Sequence, residues 1–234
     1  MLTRATDNGK YKIDFSLKSV PVMSRFVPRE EEMQKLRQLF QSKRQETGRR
    51  RVVVVIYGLG GIGKTQLAVE FAREHQRMFS AIFWLDGSSE TNLKQSFVDM
   101  MQRLPQDELT ANGVETPTHS VIDIDVAVQE CLRWLSLSSN YDWLLIIDNV
   151  DRDHQDQDDS LSYNVKGYFP PADHGSILIT SRLASLQRYG SGVKVGTVTA
   201  EQARVILENN AGRDVEGESI FTFTNMVQSL TDVK

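Results

Sequence analysis

The chain has 234 residues, 40% of them hydrophobic and 25% charged, with a mean hydropathy of −0.35; this is the composition of a globular domain rather than of a fibrous, membrane or disordered chain. A net charge of −4 gives no general attraction to nucleic-acid phosphates. The apolar runs near 52–57 and 143–147 are far shorter than the roughly 20 residues of a membrane-spanning helix, and the opening MLTRATDNGKYKIDF lacks the apolar stretch of a signal peptide.

Residues 1–25 read as a polar leader with no clear period. Pro28 opens a helix with Glu30, Glu31 and Glu32 in its first turn, where the helix dipole favours acids. Its apolar stripe is Met33, Leu36, Leu39 and Phe40. The basic stretch KRQETGRRR reads as a solvated linker to a strand at 52–57. A helix follows from Lys64 to about His75, then a strand at 81–85 and a helix near 90–103. Residues 105–120 carry Pro105, Gly113 and Pro117 and read as a surface loop. A helix near 123–137 holds the single cysteine, Cys131. It excludes an internal disulfide, suits a reducing, cytoplasmic compartment, and has apolar neighbours at helical spacing, which make it a core thiol rather than a nucleophile. A strand at 143–147 ends at Asp148, a loop runs over 151–170, and strands are expected at 176–180 and near 193–198. A last helix starts at Thr199, with Gln202 three residues on as in a capping box. Strands alternating with helices, and apolar runs without polar alternation, predict a three-layer α/β fold: a central parallel five-stranded sheet with helices on both faces.

Between the first strand and its helix stands GLGGIGKT, residues 58–65, which fits G-x-x-x-x-G-K-[ST] in the structural setting that pattern needs. Gly58, Gly60, Gly61 and Gly63 are expected to take positive φ, turning N–H groups inward as a nest for anionic oxygens beside the positive end of a helix. In such a loop Lys64 reaches the β- and γ-phosphates, and the Thr65 hydroxyl ligates Mg²⁺. Downstream, WLLIIDN delivers Asp148 to the edge of the sheet, where a carboxylate can hold the Mg²⁺ shell. ILITSR places Arg182 past another strand end, where a guanidinium can read a γ-phosphate. No N-K-x-D follows to select guanine, and residue 59 is leucine rather than a second lysine; ATP/ADP is the expected ligand.

Together GLGGIGKT, LLIIDNVD and GSILITSR make residues 20–208 resemble the NB-ARC nucleotide-binding domain of STAND P-loop NTPases, the switch domain of NOD-like receptors. FAREHQRMFSAIFWLDGSSETNLKQSF and YFPPADHGSILITSR are most similar to its fungal branch, often followed by TPR repeats. The resemblance implies a core over 26–208, ATP/ADP and Mg²⁺ as ligands, slow hydrolysis, and signalling, innate immunity among its roles. It implies that exchange of ADP for ATP opens the domain for oligomerisation with copies of itself, and that effector and repeat domains are its partners. It implies that Val27, Pro28 and Arg29 grip adenine through their backbone, that Gly60, Gly61, Ile62, Gly63, Lys64, Thr65 and Gln66 hold phosphates, that Asp148 holds Mg²⁺ and that Arg182 is the sensor.

Two departures bear on mechanism. Many members place a second acid after the Mg²⁺ aspartate, and here that position is Asn149, which can orient water but cannot take its proton; Asp151 is a substitute. The tail, 209–234, shows neither GLPL nor a winged helix, since no proline follows Pro171; the expectation is a core without its latch. A nucleotide-stabilised scaffold without useful turnover is therefore the alternative reading. A phosphotransferase would need an arginine-rich lid that the sequence does not offer. The acidic run DRDHQDQDD (151–159) fails the EF-hand pattern and reads as a solvated, mobile loop. His75, His119, His154 and His174 show no ligand spacing, and Trp84, Trp134 and Trp143 read as core.

Overall fold

The strand runs 52–57, 81–86, 143–148 and 176–181 can be buried on both faces only if helices cover both sides of the sheet they form. A computed structural model, which describes residues 12–16, 27–46, 50–110, 123–155 and 159–211, shows that arrangement. The elements are α1 (Glu30–Glu46), β1 (Val52–Tyr57), α2 (Lys64–His75), β2 (Ala81–Asp86), α3 (Glu90–Met101), α4 (Ile124–Leu135), β3 (Trp143–Asp148), β4 (Ser176–Ser181), β5 (Ser191–Lys194) and α5 (Ala200–Ala211). The five strands pair in parallel in the order β2-β3-β4-β1-β5. Alternate residues along each strand enter different cores. Val53 and Val55 of β1, with Phe83 and Leu145, pack against α3 and α4 through Phe97, Cys131 and Leu135. Val54 and Ile56, with Ile82 and Ile146, pack against α1 and α2 through Leu36, Phe40, Leu67 and Phe71. Each such side chain removed from water contributes about 1.5–3 kcal/mol, so the two cores clamp the sheet from both sides.

Several expectations hold in detail. Met33, Leu36 and Phe40 are the buried stripe of α1. Cys131 is fully buried, burial raises its thiol pKa, and it donates to the Phe97 carbonyl. Trp134 and Trp143 are core, and Trp84 is nearly so. Thr199 and Gln202 cap α5 reciprocally, at 3.0 and 3.2 Å. His75 stacks on Phe71, with ring centroids 4.4 Å apart, as a core histidine.

Other expectations are corrected. The fifth strand is Ser191–Lys194, not 193–198. The bare backbone of Gly190, just before it, permits a close approach to β1, because a Cβ there would lie 2.2 Å from the Val53 carbonyl oxygen. Within the expected leader, residues 12–16 meet the domain: the Ile13 N–H donates to the Ser80 carbonyl at 2.8 Å, and Ile13 and Phe15 pack against opposite cores. The loop expected over 151–170 is partly built into the core, since Tyr163, Val165 and Tyr168 are buried and 165–168 form a 3₁₀ turn. Within the acidic run, Asp153 is 7% exposed and bound to Arg188, so ion pairing replaces hydration there. Residues 106–108 form a 3₁₀ turn; the rest of the expected 105–120 loop beyond Thr110, with His119, and the tail from 212 on lie outside the described residues.

Candidate nucleotide site

All strands are parallel, so β1, β3 and β4 end at the same sheet edge. The loop after β1 begins at Gly58, whose N–H donates to the Ser181 carbonyl at 3.2 Å. Gly58 has φ 155°, and a Cβ on it would meet the Val195 carbonyl oxygen at 2.5 Å. Gly61 (φ 71°) and Gly63 (φ 97°) supply the left-handed turns that aim the backbone into α2. Gly60 is not among the positive-φ glycines, which corrects the expectation for that residue; the Arg182 side chain passes beside it, 3.7 Å from where a Cβ would stand.

Lys64, the first residue of α2, is 9% exposed, and its Nζ donates to the carbonyls of Gly58 and Leu59 at 3.0 and 2.8 Å. Burial lowers its pKa; Arg182 adds to that effect, while Asp151 and Asp148 oppose it. The Thr65 hydroxyl donates to Asp148 Oδ1 at 2.8 Å. Asp148 is 8% exposed; burial raises its pKa, helped by the nearby charge of Asp86 and opposed by hydrogen bonds from Thr180 and Thr65. Its Oδ1 receives both hydroxyls, and among the described residues Oδ2 makes no hydrogen bond. A hydroxyl and a carboxylate this close form a hard-oxygen pair suited to Mg²⁺, which takes few protein ligands and completes its shell with water and phosphate. Among the described residues no group of three or more His, Cys, Asp or Glu side chains could by itself hold a metal.

A cavity of about 450 Å³ gathers these parts. Gly60, Gly61, Gly63, Lys64, Thr65 and Gln66 form one wall; Asn149, Asp151, Thr180 and Arg182 form the other. Val27 and Pro28 lie outside that lining, and the Pro28 carbonyl accepts from Gln202 Nε2 at 2.9 Å. The buried Arg29 side chain reaches the back of the glycine loop instead, donating to the carbonyls of Ile62 at 2.7 Å and Gly196 at 3.0 Å.

Sequence reasoning missed Thr180. It sits on β4, the strand between β1 and β3, so its hydroxyl lies between the glycine loop and Asp148. That hydroxyl donates to Asp148 Oδ1 and accepts from the Asn149 N–H at 2.9 Å. The only sequence signal was a polar residue closing the apolar run SILIT. Asn149 itself is exposed with φ 65°, a conformation that asparagine tolerates better than most residues. Asp151 receives two bonds from Arg182, from its backbone N–H and its Nε, each at 2.6 Å.

Comparison with known proteins agrees with this geometry. The profile of the family "AAA ATPase domain" matches residues 25–165. A protein of Hyaloscypha variabilis described as a nucleotide-binding leucine-rich repeat (NLR)-like protein is 26% identical over 184 residues, 75% of this chain. The chain spans only 17% of that relative's length. The crystal structure of Cdc6p from Pyrobaculum aerophilum shares the fold, with a TM-score of 0.52 and 14% identity, covering 83% of this chain and 54% of that one. A STAND protein with a tetratricopeptide repeat sensor from Pyrococcus horikoshii aligns with a TM-score of 0.49 and 20% identity over 88% of this chain and 28% of its own. The glycine nest over a parallel sheet and the family match across α1 to β3 lead to one conclusion: the chain belongs to the AAA ATPase domain family of P-loop NTPases.

Proposed function

We propose that the chain is an ATP/ADP-binding switch domain of a NOD-like signalling receptor, with slow Mg²⁺-dependent hydrolysis, in which nucleotide exchange drives conformational change and oligomerisation. The observation that carries this reading is the Thr65–Asp148 contact at the foot of the glycine nest, faced across the cavity by Arg182. The nest N–H groups and Lys64 would hold the phosphates, with Lys64 exchanging its carbonyl partners at Gly58 and Leu59 for phosphate oxygens. Thr65 and Asp148 would hold Mg²⁺, which when bound neutralises charge developing on the phosphates. Arg182 would sense the γ-phosphate, and Asn149 would orient a water without accepting its proton.

The proposed core is 26–208, with the leader before it and the tail after it. Val27 to Arg29 are the proposed adenine segment, anchored by Gln202 on α5 and by the Arg29 side chain on the loop. Effector and repeat domains, or further copies, are the proposed partners, in the cytoplasm; the NLR-like description of the relative supports that setting. No described helix is long and apolar enough to cross a membrane. A second reading, a nucleotide-stabilised scaffold without useful turnover, is supported by the absence of an acid at Asn149 and by the engagement of both Asp151 oxygens.

Lys64→Ala tests the site: it should abolish ATP and ADP binding and the rise in melting temperature they cause, because a ligand bound only to the native state stabilises it by mass action. Unchanged affinity for both nucleotides would sink the proposal. Asp148→Ala should weaken Mg²⁺-dependent ATP binding more than Mg²⁺-free ADP binding. Phosphate release then separates the switch from the scaffold, with slow but measurable turnover expected of the switch.

A further inference from the structure

Arg182 is a poor sensor by its exposure alone. Its side chain is 60% exposed, and a free arginine surrenders considerable rotamer entropy when it is fixed. The structure removes much of that freedom in advance. Asp151 is 13% exposed, and one of its oxygens receives the Arg182 backbone N–H while the other receives Nε. A single carboxylate thus fixes both the main chain and the side-chain stem of the arginine. Among the described residues, the terminal Nη groups of Arg182 make no hydrogen bond. Its Cδ passes 3.7 Å from the Cβ position of Gly60, and the side chain lines the phosphate cavity.

Asp151 is itself held in place. β3 and β4 pair in register as far as Ile147 and Ile179, and past that point backbone and side-chain bonds together continue the seam. The Val150 N–H donates to the Thr180 carbonyl at 2.9 Å, and the Ser181 hydroxyl donates to the Val150 carbonyl. Two residues beyond Asp151, the buried Asp153 takes Arg188 at 2.6 Å. The segment after β3 is therefore tied to the end of β4 before the Asp151–Arg182 pair and to the segment after β4 beyond it.

We propose that Asp151 is the positioning residue of Arg182: it holds the guanidinium by Nε so that the Nη fork faces the cavity, and thereby sets the preference for a nucleoside triphosphate over a diphosphate. This rests on the nucleotide-site reading above. It gives Asp151 a role distinct from that of general base, which the hydrolysis measurement below separates.

The test is titration of ATP and ADP, each with Mg²⁺, into wild type, Arg182→Ala, Asp151→Asn, the double variant, and Lys64→Ala as a control for the site, with melting curves for every variant. The Asn side chain keeps the shape and one acceptor but sets an N–H group against one of the two Arg182 donors. Arg182→Ala should lower ATP affinity about tenfold or more, as for a lost charged hydrogen bond, and leave ADP affinity unchanged. Asp151→Asn should lower ATP affinity several-fold, also without changing ADP affinity, and should add nothing in the Arg182→Ala background. Equal losses for ATP and ADP, or additive losses in the double variant, overturn the proposal. So does an Asp151→Asn protein with unchanged affinities and abolished single-turnover hydrolysis, the signature of a base. A gain in ATP affinity would make Asp151 a competitor for Arg182 and overturn it equally. If Lys64→Ala binds both nucleotides normally, the nucleotide reading itself fails, an outcome separable from all the others.

Discussion

The glycine loop at 58–65 and the seam joining 149–153 to 180–188 line the same cavity but are specified differently. In the loop, conformation is local. Gly61 and Gly63 take left-handed φ because they lack a Cβ, and Lys64 and Thr65 follow at once on the first turn of α2. In the seam, every important partner is about thirty residues away: Asn149 with Thr180, Asp151 with Arg182, Asp153 with Arg188. The loop is a backbone device that few residue types can build. The seam is a side-chain device whose parts look ordinary until two strands are laid side by side. A substitution in the loop should therefore act through strain, and one in the seam through a lost or unmatched polar partner.

The largest stability effect expected is at the start of the loop. Gly58→Ala would place a methyl group 2.5 Å from the Val195 carbonyl oxygen at φ 155°. Backbone on the facing side cannot yield as a flexible side chain would, so the cost should be about 3 kcal/mol, at the upper end of overpacking. Denaturant unfolding measures this, and a loss below that of any seam variant would break the contrast.

Thr180→Val comes next. The shape is kept, but the Asn149 N–H loses its acceptor and Asp148 loses a donor. An unmatched buried group costs about 1–3 kcal/mol, and Asp148, left with Thr65 alone, should hold Mg²⁺-dependent ATP less well than Mg²⁺-free ADP. Unfolding curves and paired titrations check both parts; an unchanged protein would mean that the central strand supplies no support to the site.

Asp153 gives a smaller, pH-dependent effect. Burial pushes its carboxyl pKa up, but the hydrogen bonds from Arg188 and the Gln155 N–H, with the charges of Arg188 and His154, outweigh burial and hold it below the ordinary 3.8. A depressed carboxyl pKa stabilises the fold above the unfolded value, and that contribution is lost as pH falls through the folded value. Melting temperature should therefore fall more steeply below about pH 4 in wild type than in Asp153→Asn. Parallel pH profiles would show that the Asp153–Arg188 tie is too weak to matter.

Asn149→Asp should change stability least, since aspartate also tolerates a left-handed φ. Its effect is expected in turnover, because a carboxylate facing the cavity can polarise water in the transition state. General-base assistance is worth about 10²–10⁴-fold at best, and repulsion from Asp148 will reduce the gain. Single-turnover hydrolysis at saturating Mg²⁺ measures it; no increase over wild type would mean that Asn149 does not limit the reaction.

Much of the site was legible before folding was considered. A strand, a glycine-rich turn and a helix beginning with Lys-Thr encode their own geometry, and a strand ending in aspartate delivers it to the sheet edge in any parallel arrangement. Thr180 was not legible, because a polar residue closing a strand acquires meaning only when that strand lies between two functional ones. The acidic run misled for the same reason: a carboxylate reads as solvated until the arginine that buries it is found. The side chain of Arg29 has a part the sequence did not show: it braces Ile62 and Gly196 from the far side of the loop.

Most of the strands and helices, and the turn that puts Gly61, Gly63, Lys64 and Thr65 at the start of α2, are written in the sequence alone, because local periodicity and glycine stereochemistry act over a few residues. That β4 separates β1 from β3 emerges from the assembled sheet, and with it that Thr180 joins Thr65 on the same oxygen of Asp148 and that Asp151 takes hold of Arg182. Strand order is settled by the burial of two apolar faces at once, a property of the whole sheet that no single segment carries.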